Sequence, residues 1–463
     1  MAMGRRQAES QGELWVDPAQ LDLGPGHPFY ERLEQVLTKA GFDAFVEGLC
    51  ERFYKEGVGR PSVVPGVYFR MLLIGYFERL DSERGIAWRC RDSLSLRQFL
   101  DIPLSKPTPD NSNLSRTRQR IDLETHQAVF SWVLKLLADQ GLVKGKTIGV
   151  DATTLEANAA LRSIVRRDSG EAYREFLERL AKESGIPTPT REDIARIDKD
   201  RKGKGSNDEW TSPQDPDAGI TKMKDGRTHL ASKLEQSVDL DTGAVLAVTM
   251  HRGEAGDTSS IGPTLIKTEE QLKELEDERK IEKRPTRELV TDKGYHSNDT
   301  LVEAQAAGWR TYSSEPRRGR RHWDGDLEAR DAVYANRRRV RGERGKRLLR
   351  RRGEFLERPF AHYLEAGGMR RTHLRTHDRI LKRLLIHIAG FDLGLLMRKL
   401  TGRGTPRELA EVLSSIFAIA VLAFTMARRA VRAVAMPKDA RGRAPSARPR
   451  SDWSFQVTSA TGC

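Results

Sequence analysis

The chain has 463 residues, with 80 Lys and Arg against 66 Asp and Glu and a formal net charge of +14 at pH 7. That length allows roughly two to four domains with full cores, and a basic excess of this size points to a polyanion, nucleic acid first. Cys50, Cys90 and Cys463 lie far apart in the chain, which excludes a disulfide framework and a cysteine zinc site and fits a reducing cytoplasm.

Residues 1–27 read as a flexible leader. They carry charge but no apolar core of a signal peptide. The spacing of Phe29, Leu33, Val36 and Leu37, then Phe42, Phe45, Val46 and Leu49, predicts two amphipathic helices. GVYFRMLLIGYFERL, 66–80, is apolar almost all round and predicts a buried helix. Helices to about 91 and over 93–100 follow. In PTPDNS, 107–112, two prolines close one element, and Asp110 or Ser112 can cap the next. That helix shows Arg116, Arg118 and Arg120. Short helices with a basic last member fit a helix-turn-helix reader or a plain bundle with a solvated face equally well. A helix over 126–140, ended by Gly141, closes an all-α region of 28–140.

The period then changes. KTIGVD predicts a strand ending at Asp151. A charged helix covers 171–184, and 187–218 is polar and rich in Pro and Gly, so a surface insertion of about 185–226 is expected. LASKLEQSVDL, a DTG turn and AVLAVTMH predict a hairpin. A helix over 258–280 leads to RELVTDKGYHS, a short strand that runs into Asp292. A carboxylate at the carboxyl end of a strand sits where α/β sheets place their sites, although a capping Asp is the blander reading. A helix over 298–307 and a strand over 309–313 follow.

A basic insertion of about 317–352 comes next. It contains Arg317, Arg318, Arg320, Arg321, Arg337, Arg338, Arg339, Arg350, Arg351 and Arg352, with His322, Trp323 and Tyr334 interleaved. Arginines mixed with aromatics suit a phosphate backbone and unstacked bases. Glu357 lies on a helix with an apolar stripe, and a long buried helix spans 379–400. The apolar run VLSSIFAIAVLAFTMA, 412–427, is short of the ~20 residues a bilayer requires, so a buried helix or packing surface is expected there, and no membrane. Residues 401–463 read as a C-terminal helix and a basic tail.

Asp151, Asp292 and Glu357 are hard oxygen donors on separate elements, the set that a pair of Mg²⁺ ions needs for phosphodiester displacement. No P-loop or GxGxxG motif is present. GVDATTLEAN, VTDKGYHS and the run from RGEFLERPFAHYLEAGGMRRTHLR to FDLGLLMR resemble the three acid-bearing motifs of bacterial insertion-sequence transposases of the DDE type. The stretch from GRPSVVPG to RTRQRI resembles their helical N-terminal domain.

The resemblance implies an α/β fold: a ribonuclease H-like mixed sheet flanked by helices, over 141–400, behind the all-α N-terminal domain. It implies Asp151, Asp292 and Glu357 as catalytic and metal-holding residues, with Mg²⁺ or Mn²⁺, two ions, as cofactor. Glu354 competes with Glu357, and ERPFAH favours Glu357. It further implies double-stranded DNA as partner, a homodimer or larger assembly on DNA, and a nucleoid-associated location in the bacterial cytoplasm. The expected activity is cleavage at element ends and joining of the 3′-OH to target DNA. An inactive DNA-binding regulator and a nuclease without strand transfer are the alternatives. The Tyr, Arg and Lys offsets of a related signature do not fit, since 353 is Gly and 364 is Leu.

Overall fold

The computed structural model describes residues 26–55, 62–201, 205–223, 226–317, 319, 321–323, 325–370 and 373–435. The chain divides into two compact units, Met1–Pro406 and Arg407–Cys463. The first unit opens with seven helices: α1 (Pro28–Lys39), α2 (Phe42–Cys50), α3 (Pro65–Phe77), α4 (Glu83–Asp92), α5 (Leu94–Phe99), α6 (Asn111–Arg120) and α7 (Leu123–Asp139). Local chemistry sets their ends. Pro28 and Pro65 stand at first helical positions, where a missing N–H costs nothing. Asp110, rather than Ser112, caps α6 by accepting from Asn113 N at 2.8 Å. Gly141, at φ +67°, closes α7 in a conformation that L side chains rarely adopt. Helix α3 is buried on nearly every face, and Phe69, Met71, Leu72, Ile74 and Phe77 each contribute about 1.5–3 kcal/mol of burial.

The sheet follows. Its strands are β1 (Thr147–Glu156), β4 (Gly219–Lys222), β5 (Thr228–Asp239), β6 (Val245–Arg252), β7 (Arg287–Thr291) and β8 (Trp309–Ser313), in the order β4-β5-β1-β7-β8 with β6 also on β5. β1 is antiparallel to β5 and parallel to β7, and β7 is parallel to β8, so the sheet is mixed. The expected hairpin is β5–β6, with Gly243 at φ +86° in its turn. Helices α10 (Asp257–Asp277), α11 (Asn298–Ala306), α12 (Leu327–Arg341), α13 (Glu343–Phe360) and α14 (His377–Thr401) flank it. α14 packs on α3, α7 and β6, and its buried Asp392 accepts from Val245 N at 3.0 Å. The helical region and the sheet are thereby joined in one unit.

Two segments differ from the sequence expectation. The polar stretch around 185–226 holds α9 (Arg191–Asp200) and two short strands, β3 (Trp210–Thr211), which pairs with β2 (Val165–Arg166), and β4, which pairs with β5. With α8 (Tyr173–Glu183) it builds a small core around fully buried Trp210, with Phe176, Leu177 and Ile220. A few apolar residues far apart in sequence suffice once the strands bring them together. The basic stretch 317–352 is, from Leu327 on, the helices α12 and α13. α12 buries Ala329, Ala332, Val333 and Asn336, at helical spacing. Asn336 bonds both Ser313 N and Ser313 O, so α12 covers the exposed edge of β8.

The second unit is described to residue 435, as most of α15 (Pro406–Ala435). The apolar run lies in this helix, with Ile419, Val421, Leu422, Phe424 and Met426 exposed rather than buried. Among the described residues no helix is long and apolar enough to cross a membrane.

Candidate active site

β1 does not stop at Asp151. It runs on to Glu156 because β5 pairs with it along its whole length, whereas the parallel partner β7 pairs only with 147–149. Asp151 therefore sits mid-strand, just where the parallel neighbour gives out. Asp292 follows the last residue of β7 and caps the turn Lys293–Tyr295 by accepting from Lys293 N at 2.6 Å. Two adjacent strands thus present a carboxylate at the same end of the sheet.

The two carboxylates share one cation. Arg352 Nη2 lies 3.4 Å from Asp151 Oδ2 and 3.6 Å from Asp292 Oδ2. α13 brings Arg352 there because Leu348, Arg352, Leu356 and Phe360 recur every four residues on the face laid against the sheet. Leu356 is fully buried, and its carbonyl accepts from Gln236 Nε2. Tyr363, about two turns on, donates to Gln236 Oε1. Gly149 permits the approach: a Cβ there would lie 2.8 Å from Leu240 and 3.2 Å from Leu356. Burial pushes the Asp151 carboxyl above its usual value. Arg352 opposes that rise, while Asp292 and Asp257 add to it.

Behind the pair lies a buried polar network that sequence reasoning missed. Glu235 on β5 is fully buried and accepts from Ser260 Oγ at 2.6 Å, Thr264 Oγ1 at 2.5 Å and Tyr295 Oη at 2.9 Å. Lys233 Nζ lies 4.0 Å from Glu235 and donates to Asp257 Oδ1 at 2.7 Å and Ser260 Oγ at 2.8 Å. Asp257 in turn abuts Gly294, where an added Cβ would collide with Asp257 Oδ2. The glycine and tyrosine of VTDKGYHS therefore serve to lock the Asp292 turn onto this network. A signal was available in KLEQS, a polar run within a strand long enough to be central. Buried polar groups require partners, and partners of this kind support a site.

Glu357, one residue beyond Leu356, is exposed on α13, and so is Glu354. Among the described residues no group of three or more His, Cys, Asp or Glu side chains is arranged to hold a metal ion. The structure brings together Asp151 and Asp292 and leaves Glu357 on the neighbouring solvent face. Two carboxylates that already converge on one cationic group are a donor set suited to a hard divalent ion.

The expected DNA-contacting arginines divide in the same way. Arg118 is buried against Glu83. Arg337 and Arg321 pair with Glu315. Arg339 donates to the Thr311 carbonyl at 2.8 Å, Arg351 lies 3.4 Å from Asp241 Oδ1, and Arg352 holds the carboxylate pair. These charges are satisfied inside the fold. Arg116, Arg120, Arg317, Arg338 and Arg350 are exposed, and Arg318 and Arg320 lie outside the described residues.

A search of curated proteins and a search of solved structures each return no match. Residues 20–120 match the family model described as a transposase domain (DUF772), so this part of the chain is similar to the helical domain of transposases.

Proposed function

We propose that the chain cuts phosphodiester bonds at the ends of its element and joins the 3′-OH ends to target DNA, with Asp151 and Asp292 as the core of a DDE site in a ribonuclease H-like domain. The observation that carries this reading is the convergence of Asp151 and Asp292 from adjacent parallel strands onto a single cation. The mixed sheet flanked by helices supports the fold assignment, and the N-terminal transposase-domain match supports DNA as partner. Asp151 and Asp292 would hold Mg²⁺ or Mn²⁺, and Glu357 on α13 would complete the ligand set of a two-ion site. Such ions, when bound, lower the barrier by stabilising the attacking and leaving oxygens. The chain's own part is positional. The Glu235 network fixes the Asp292 turn, and the burial of α13 on β1 fixes the helix that bears Glu357. Exposed Arg116 and Arg120 on α6, with Arg317, Arg338 and Arg350, supply the phosphate contacts, and the protein acts on DNA as a dimer or larger assembly.

The test is Asp292→Asn on terminal-repeat DNA in Mg²⁺. The amide keeps the shape but loses the charge on which hard-ion affinity depends. Cleavage and strand transfer from a 3′-OH donor should vanish, while gel-shift binding persists. Cutting at the wild-type rate would reduce Asp292 to a structural cap and sink the reading.

A further inference from the structure

Arg352 differs from the other arginines of α12 and α13 in how it is held. Arg337 grips Glu315 through two hydrogen bonds, at 2.6 and 2.8 Å. Arg344 grips Glu288 in the same bidentate way, and Arg339 bonds Thr311 twice, at 2.8 and 2.9 Å. Paired contacts of this kind lock a planar guanidinium in place. Arg352 has no such lock. A single nitrogen, Nη2, is shared between Asp151 and Asp292 at 3.4 and 3.6 Å, too long for well-formed hydrogen bonds. Its Nε is buried without a hydrogen-bond partner among the described residues. The side chain is 16% exposed, so its charge is felt strongly although its geometry is loose.

We infer that Arg352 is a displaceable counter-ion. It neutralises the Asp151–Asp292 pair while the pair holds no metal, and it yields that place when a divalent cation loads. This rests on the reading of Asp151 and Asp292 as metal ligands. Two carboxylates brought together inside a fold repel each other, and a nearby cation relieves that cost. A guanidinium held by charge alone does so without closing the site, because there are few hydrogen bonds to break when it leaves. The consequence is competition: every cation that loads must displace Arg352. Arg352 is in this sense a positioning residue that sets the metal affinity, and it is distinct from the backbone-contacting role that its neighbours suggest.

The experiment titrates Mn²⁺ into the full chain without DNA, reading free Mn²⁺ by electron paramagnetic resonance. Wild type, Arg352→Gln, Arg352→Lys and Asp151→Asn are compared. An opposite charge within ~4–6 Å favours a carboxylate's charged form by about one to three pH units. At the low end of that range, removing the competitor tightens Mn²⁺ binding roughly tenfold in Arg352→Gln. Arg352→Lys, which keeps the charge, stays near wild type, and Asp151→Asn binds more weakly. A gain of affinity cannot come from misfolding, so the direction alone separates this role from a structural one. Equal or weaker binding by Arg352→Gln, with Asp151→Asn still impaired, overturns the counter-ion role and leaves the carboxylate reading standing. An equal gain in the Gln and Lys variants also overturns it, since the charge would then be irrelevant. Mn²⁺ binding indifferent to Asp151 sinks the carboxylate reading itself.

Discussion

Lys233→Met tests whether the buried network behind the carboxylate pair carries the local stability. Lys233 is 5% exposed and lies between Asp257, at 2.7 Å, and fully buried Glu235, at 4.0 Å. Methionine fills similar volume without charge. Removing one partner of a buried ion pair typically costs about 3–5 kcal/mol, because the survivor is left uncompensated. Asp257 is 40% exposed on its side chain and can turn to water, so the loss should fall near the lower end, ~3 kcal/mol.

The pH dependence gives the sharper test. Burial pushes the Glu235 carboxyl up, and Ser260, Thr264, Tyr295 and Lys233 hold it back. A carboxyl raised in the fold favours folding below its unfolded pKa, and that contribution is lost as pH rises through the folded value. Without Lys233 the carboxyl rises further. The deficit of Lys233→Met should therefore be largest at neutral pH and shrink on acidification to about pH 5. Adding Glu235→Gln should restore part of the loss at neutral pH. Urea unfolding at both pH values measures it. A deficit under about 1 kcal/mol, or one that does not change with pH, would refute the reasoning, since either means that the pair is already solvated.

Replacing exposed Arg317, Arg338 and Arg350 together by Gln should weaken DNA binding to all sequences alike and reduce the log–log salt slope by about 0.9 for each phosphate no longer neutralised, measured by gel shift over a salt series. Arg339→Gln should leave that slope unchanged but lower unfolding stability by about 1–3 kcal/mol, because the Thr311 carbonyl and hydroxyl lose their donor. Burial raises the Glu288 carboxyl, but hydrogen bonds from Arg344 and Thr147 outweigh it and hold the group below its ordinary value of 4.5. Its stabilising contribution is present above that value and lost as pH falls below it, so Glu288→Gln should flatten the acid limb of a stability–pH curve. An acid limb identical to wild type would show that Glu288 is not its source.

Apolar periodicity alone settled much of the architecture. Residues 28–140 read as helices because Phe29, Leu33 and Leu37 recur at helical spacing, and 229–250 reads as a hairpin because a DTG turn divides two strand-forming runs. Asp151 and Asp292 stood out because each follows a short β-forming run, a pattern that depends only on neighbours in the chain. What neighbours cannot encode was decided by packing. β1 continues past Asp151 because β5, far along the chain, pairs with it in antiparallel register through to Glu156. Trp210 makes a core of a polar stretch only after β3 and β4 bring it to Phe176 and Leu177.

The arginines show the same limit most plainly. In sequence Arg337, Arg339, Arg350 and Arg352 are equivalent members of one charged run. In the fold the turn of each helix gives one to Glu315, one to the edge of β8, one to solvent and one to the carboxylate pair. Charge density is a property of composition, whereas the partner that a charge meets depends on helix phase against a sheet assembled from distant segments. That is why the density of basic charge was legible in the sequence and the partner of each arginine was not.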